Sequence, residues 1–86
     1  MSHKLVGFAS SINSSYIENQ IQAIANEISG LQTEFADETD SRLIKYCQKP
    51  DRLPCLMLFK NDAHKTHINA KMTQDRAINW TKEKIG

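Results

Sequence analysis

Two thiols, two histidines three residues apart and a pair of adjacent hydroxyls are the groups in this chain that could do chemistry: Cys47 and Cys55, His64 and His67, Ser14 and Ser15. A deprotonated thiol is a nucleophile and a metal ligand. Two cysteines do not make a disulfide framework, and a Cys47–Cys55 bridge would require Cα atoms within about 7 Å. Both are expected to be buried and inert, as cysteines outside disulfides commonly are. A reactive thiol at Cys55 or Cys47 is the alternative. His64-x-x-His67 resembles a metal pair only by eye. On a strand, positions three apart face opposite sides, and there is no third ligand at nearby spacing. Exposed edge histidines and no metal site are expected. Ser14 and Ser15 precede a helical stripe, where free N–H groups and hydroxyls can hold a phosphate or carboxylate. Helix capping is the simpler role. A Ser-His-Asp triad can be assembled on paper, but no spacing positions one.

Composition narrows the classes. The chain has 86 residues, 40% apolar and 24% charged, with a formal net charge of +1. A chain this short buries only roughly 60% of its unfolded surface on folding, so one domain over 1–86 is expected. A charge near zero, with lysines spread from Lys4 to Lys84, gives no electrostatic footprint for nucleic acid or an anionic membrane. No apolar run approaches the ~20 residues of a membrane span, and Leu5 to Ala9 is too short for a signal-peptide core. A cytoplasmic, intracellular protein with no cofactor is the expectation.

The elements that must position these groups follow from the pattern. Leu53-Pro54-Cys55-Leu56-Met57-Leu58-Phe59 is the most apolar run and reads as a strand buried on both faces. Pro54, lacking an N–H, belongs at its first residue, and Asn61-Asp62 is the turn that closes it. Lys4 to Ser10 reads as the first strand. From Tyr16 to Ile28, Ile17, Ile21, Ile24 and Ile28 form one helical stripe, with Gln20, Gln22 and Glu27 largely off it, in a helix that ends at Ser29-Gly30. Ser15-x-x-Glu18 has the capping-box pattern, Asn13 or Ser14 being other caps, and Gly30 suits the C-terminal cap. Leu31 to Ala36 reads as a second strand. A short helix over Asp40–Gln48 is expected to turn Leu43, Ile44 and Cys47 inward, and Lys49 to Arg52 is a loop. His64 to Ala70 is a polar edge strand joined by a hairpin. A last helix starts at Thr73 or Gln74 and runs to about Lys84, with Ala77, Ile78, Thr81 and Ile85 inward and Trp80 half-buried.

A strand, a crossover helix and a second strand favour parallel pairing, and the closing hairpin is antiparallel. The result is an α/β fold: a mixed four-stranded sheet in the order β-α-β-α-β-β-α, with helices on both faces. That order, the strand Leu5-Val6-Gly7-Phe8-Ala9 before the first helix, Leu53-Pro54 before the buried strand and Phe59-Lys60-Asn61 at its end resemble the thioredoxin-like (thioredoxin and glutaredoxin) family over almost the whole chain. The resemblance implies a cis bond before Pro54 and a functional edge beside it. A redox-active member carries Cys-x-x-Cys at the start of the first helix, where the helix N-terminus lowers a thiol's pKa. Alignment on Phe8 puts Asn13-Ser14-Ser15-Tyr16 there, with Ser10-Ser11-Ile12 in place of the tryptophan-rich flank. Dithiol chemistry by the family mechanism is therefore not expected.

The resemblance thus points to a redox-inactive, protein-binding or assembly module, acting through Asn13, Ser14, Ser15, Tyr16, Arg52, Leu53 and Pro54. An extended partner segment could pair with the backbone of Leu53. A stand-alone member of this kind suggests a viral or phage protein, such as a virion component. An atypical thiol oxidoreductase or redox sensor using Cys55 or Cys47 is the alternative, and an anion or glutathione site at Asn13–Ser15 a third.

Overall fold

The apolar run from Cys55 is the spine of the sheet. The structure, a computed structural model, describes residues 3–47 and 53–86. The expected loop at 49–52 lies outside the described residues, and so does Arg52. The strands are β1 (His3–Ala9), β2 (Gln32–Asp37), β3 (Cys55–Lys60) and β4 (Ala63–Asn69); the helices are α1 (Ser14–Glu27), α2 (Ser41–Tyr46) and α3 (Gln74–Ile85). The sheet order is β2-β1-β3-β4. β1 runs parallel to β2 and antiparallel to β3, and β3 is antiparallel to β4. The mixed four-stranded α/β architecture expected from the sequence is the one observed.

The central strands β1 and β3 are buried on both faces, which explains why they read as continuous apolar runs. Their alternate side chains supply two cores. Leu5, Leu56 and Leu58 pack with Ile17, Ile21 and Ile24 of α1 and Ala77 of α3. On the other face Val6, Phe8, Met57 and Phe59 pack with Leu43 and both cysteines beneath α2. The β3–β4 hairpin turns on Asn61 (φ 51°) and Asp62 (φ 65°). Two consecutive positive φ values are the signature of the tight hairpin turn that asparagine and aspartate tolerate best.

α1 lies close on β1 because position 7 has no side chain. A Cβ at Gly7 would fall 2.6 Å from Cγ2 of Ile17 and closer still to Cδ1 of Ile21. α1 ends at Glu27, with Ile28 as its C-cap and Gly30 at φ 83° two residues on. α3 is capped by Thr73, which accepts from the Arg76 N–H, and Thr81 satisfies its buried hydroxyl on the Ala77 carbonyl at 2.9 Å.

Six residues are too few for a helix to hold itself, and α2 is stapled to the sheet by charge. Asp40 caps it by accepting from the Arg42 N–H at 2.8 Å. The Arg42 guanidinium donates to Asp40 and to Glu34 of β2, and Lys4 of β1 reaches Glu34 at 2.6 Å. The same guanidinium lies over the Phe8 ring at 5.7 Å and the Phe59 ring at 5.9 Å. Arg42 lowers the pKa of both Glu34 and Asp40 through these hydrogen bonds.

The structure differs from the sequence reading in several places. α1 starts at Ser14, with Asn13 of the expected caps in the N-cap position, and its C-cap is Ile28, short of the expected end at Ser29-Gly30. Ile44 does not face inward but is 65% exposed: so short a helix buries only Leu43, with Cys47 buried at its C-cap and Tyr46 partly buried against the same core. His64 and His67 are not on opposite faces. The register shifts at Leu58/Phe59, so that Thr66 faces Leu58 while His64 faces Phe59. The extra residue puts both imidazoles on the α2 face, half-buried, with His64 Nε2 3.0 Å from His67 Nδ1. Tyr46 stacks on His64 at 4.3 Å. Burial first, then the neighbouring His67, pushes the His64 pKa down.

This packing sets two expected outcomes. Gly7→Ala should destabilise the fold by about 1–3 kcal/mol, and Gly7→Val by more, because the added carbons overpack the α1 interface; thermal denaturation checks it. Glu34 and Asp40 have folded pKa values below their unfolded ones, so their contribution is present above about pH 4.5 and is lost as pH falls through the folded values. The urea midpoint should therefore drop between about pH 5 and pH 2, and Arg42→Met should flatten that drop.

Candidate functional site

The loop Ser10–Asn13 turns the chain from β1 into α1. Asn13 N–H donates to the Ser10 carbonyl at 3.0 Å, and the Ile17 N–H to the Asn13 carbonyl at 3.1 Å. Asn13 is the N-cap by position, but its side chain makes no capping hydrogen bond; its amide reaches back to Ser10 Oγ at 3.5 Å. Ser14 Oγ donates to the Ser11 carbonyl at 3.3 Å. The expected Ser15-Glu18 capping box does not form, because Ser15 already lies inside the helix. The hydroxyls close the loop on itself, and Ile12 at its tip is 91% exposed.

Phe8 pairs with Cys55, so β1 leaves the sheet at the end where β3 enters it. This puts the Pro54 turn beside the start of α1. The Leu53–Pro54 bond is cis and Pro54 is buried. The Pro54 carbonyl accepts from the Ala70 N–H at 2.8 Å, which ties the residues after β4 to the same edge. Leu53 is partly buried against the core beneath α2.

Tyr16 closes this edge from the helix side. Its hydroxyl donates to the Met72 carbonyl and accepts from the Met72 N–H at 3.1 Å, so one side chain holds both backbone groups of a residue 56 positions away. Beneath it, Gln20 Nε2 donates to the Ala70 carbonyl at 3.3 Å and the Met72 carbonyl at 3.1 Å. By sequence Gln20 lies off the apolar stripe; in the fold it is 1% exposed, and these carbonyls give its buried Nε2 group its partners, while Oε1 is buried with no hydrogen bond among the described residues. Nothing local marks Gln20 or Met72 as site residues. Ile12 does carry a signal, as the one apolar residue in a polar loop.

The structure therefore brings Asn13, Ser14, Ser15, Tyr16, Leu53 and Pro54 to one edge. Between Ser10 and Ile17, and at Leu53-Pro54, there is no thiol, carboxyl, imidazole or amine. Among the described residues, the edge offers hydroxyls, the Tyr16 phenol, amides, backbone groups and an exposed apolar side chain. Cys55, directly after Pro54, points to the face opposite the α1 helix: it is 1% exposed in the core beneath α2, and its thiol donates to the Leu56 carbonyl at 3.7 Å. Cys47 is buried in the same core, and the two are not joined by a disulfide. Among the described residues, no group of three or more histidine, cysteine, aspartate or glutamate side chains could hold a metal ion, and no helix is long and apolar enough to cross a membrane.

Removing only the hydroxyl of Tyr16 tests its tethering role. Tyr16→Phe should cost about 1–3 kcal/mol, for two hydrogen bonds of ordinary net worth, and should speed amide exchange at Met72 while amides of the core strands keep their protection.

No family model matches the sequence, and no curated protein matches it. Solved structures do match the fold. A mutant thioredoxin from Halobacterium salinarum NRC-1 superposes with a TM-score of 0.73 at 13% identity, covering 99% of this chain and 76% of that one. Thioredoxin O2 from Arabidopsis thaliana in the oxidized state gives 0.69 at 16% identity, covering 94% and 73%. The J-Trx1 fragment of ERdj5 gives 0.61 at 16%, covering 95% and 42%. With the strand order and helix placement described above, these likenesses establish the architecture: the chain has a thioredoxin-like fold.

Proposed function

We propose that this chain acts by binding protein, as a redox-inactive adaptor or a subunit of a larger assembly. Its working surface is the edge where α1 begins beside Pro54. The observation that carries the reading is the composition of that edge: Asn13, Ser14, Ser15 and Tyr16 stand at the helix start, Ile12 is exposed beside them, and both thiols are buried in the opposite core. A large apolar side chain exposed on a loop at the α1 start suits a partner that desolvates it. Among the described residues, the backbone of Leu53 makes no hydrogen bond. An extended partner segment could use it, since strand addition takes its affinity from main-chain hydrogen bonds. Tyr16 and Gln20 keep the 70–72 segment in place, and so preserve the edge's shape without binding energy from the partner.

The test is affinity capture of the tagged protein from its native source, with Ile12→Asp and Leu53→Asp in parallel. The expected outcome is a stoichiometric partner retained by the wild type and lost by both variants, each of which stays folded by circular dichroism. Titration of the native protein with a disulfide reagent should show both thiols reacting only after denaturant is added. One fast-reacting thiol, together with disulfide reductase activity, would overturn the proposal in favour of a thiol enzyme.

A further inference from the structure

A second surface lies on the far side of α1 from Pro54. Among the described residues, β2 is an edge strand that pairs only with β1. Natural edges are blunted by lysine, proline, bulges or a covering element. The other edge, β4, follows that rule, with Lys65 at its bulge. β2 is blunted less: Gln32–Asp37 contains no lysine and no proline, its register with β1 is unbroken, Phe35 is 47% exposed, and its only charges are the carboxylates of Glu34 and Asp37. Its outward backbone groups remain available to a further strand.

Between β2 and the start of α1 lies an open cleft of about 430 Å³. Gly7 and Ala9 form part of its floor, so close packing elsewhere leaves room here. Ser14, Ile17 and Glu18 of α1 line one wall, and Phe35, Asp37 and Glu38 the other. No lysine or arginine among the described residues lines it. The carboxylates differ in how they are engaged. Glu34, on the opposite face of β2, is neutralised by Lys4 and Arg42. Asp37 accepts from the Thr39 N–H and hydroxyl. Glu18 and Glu38 take part in no ion pair among the described residues. The cleft thus has an apolar, aromatic wall and an acidic rim beside an open strand edge.

We infer that the β2 edge docks an extended, basic segment of a partner protein. Its backbone continues the sheet beyond β2. Its arginine or lysine side chains on the α1 face lay their apolar stems against Phe35 and their charged heads between Glu18 and Glu38. Alternation fits this geometry, because every second side chain of an added strand enters the cleft. A second copy of this chain is the poorer occupant: β2 against β2 would set one acidic edge, with Asp37 and Glu38, against another, and like charges across a strand pair are destabilising. An anion is excluded from the same rim by the same charges.

The experiment is an NMR titration of the isotopically labelled protein with an acetylated hexapeptide of alternating arginine and valine at low salt. The expected result is saturable shifts in the amides of Gln32–Asp37 and Ser14–Glu18. Binding should weaken roughly fivefold in the Glu18→Gln/Glu38→Gln double variant, as for the loss of two exposed ion pairs. It should also weaken as salt is raised, and should persist in Leu53→Asp, which separates this surface from the one proposed above. Three outcomes would overturn the inference: no shift in β2 at millimolar peptide, equal binding of a glutamate–valine hexapeptide, or the same β2 shifts on concentrating the protein alone, which would assign the edge to a second copy.

Discussion

The close approach of α1 to β1 at Gly7 is the contact on which the rest of the molecule depends. Ile17 and Ile21 occupy the space that any side chain at position 7 would need. That contact sets the depth and angle at which α1 crosses the sheet. It therefore sets where the helix begins, beside the end of β1 and the Pro54 turn. It also lets one face of β1 and β3 close over with only two helices, while the short α2 covers the other. Because interiors are packed without slack, the position of the proposed binding edge is a consequence of core packing and not a property of the loop that carries it.

Polar contacts then do what apolar packing cannot. The segment after β4 has few large apolar side chains with which to anchor itself, and Tyr16 and Gln20 hold it through the Met72 and Ala70 carbonyls. On the opposite face Arg42 performs the matching service for α2, joining Asp40, Glu34 and two aromatic rings. In both cases one long side chain satisfies several partners at once, which is how a domain of 86 residues supports short elements with little core of their own. Tyr16 is a structural tether, and this places it in the architecture as well as on the proposed binding surface.

The two sheet edges are treated differently, and the difference has a physical meaning. β4 is bulged and bears a lysine, and its histidines turn inward under Tyr46. β2 keeps an unbroken register, an exposed aromatic ring and an acidic rim. Both proposed surfaces flank the first turn of α1, the Pro54 edge on one side and the β2 cleft on the other. They differ in chemistry: hydroxyls, amides and aliphatic carbon at the first, carboxylates and an aromatic wall at the second.

By itself the sequence determined the order of elements, the buried strand after Pro54, the isoleucine stripe of α1, the Asn61-Asp62 turn and the absence of a thiol at the helix start. Each is a local pattern, read from periodicities of 3.6 and 2 or from turn chemistry within a few residues. Only the tertiary structure decided the rest. A single extra residue at Lys65 reverses the face of every side chain beyond it, so His64 and His67 meet although their spacing places them apart. Ile44 sits on a sound helical pattern, but six residues of helix bury only Leu43 before the chain leaves. Gln20 looks like a solvent residue until carbonyls 50 and 52 positions away supply its partners. Burial of a polar group depends on who waits for it in space, and no window along the chain contains that information.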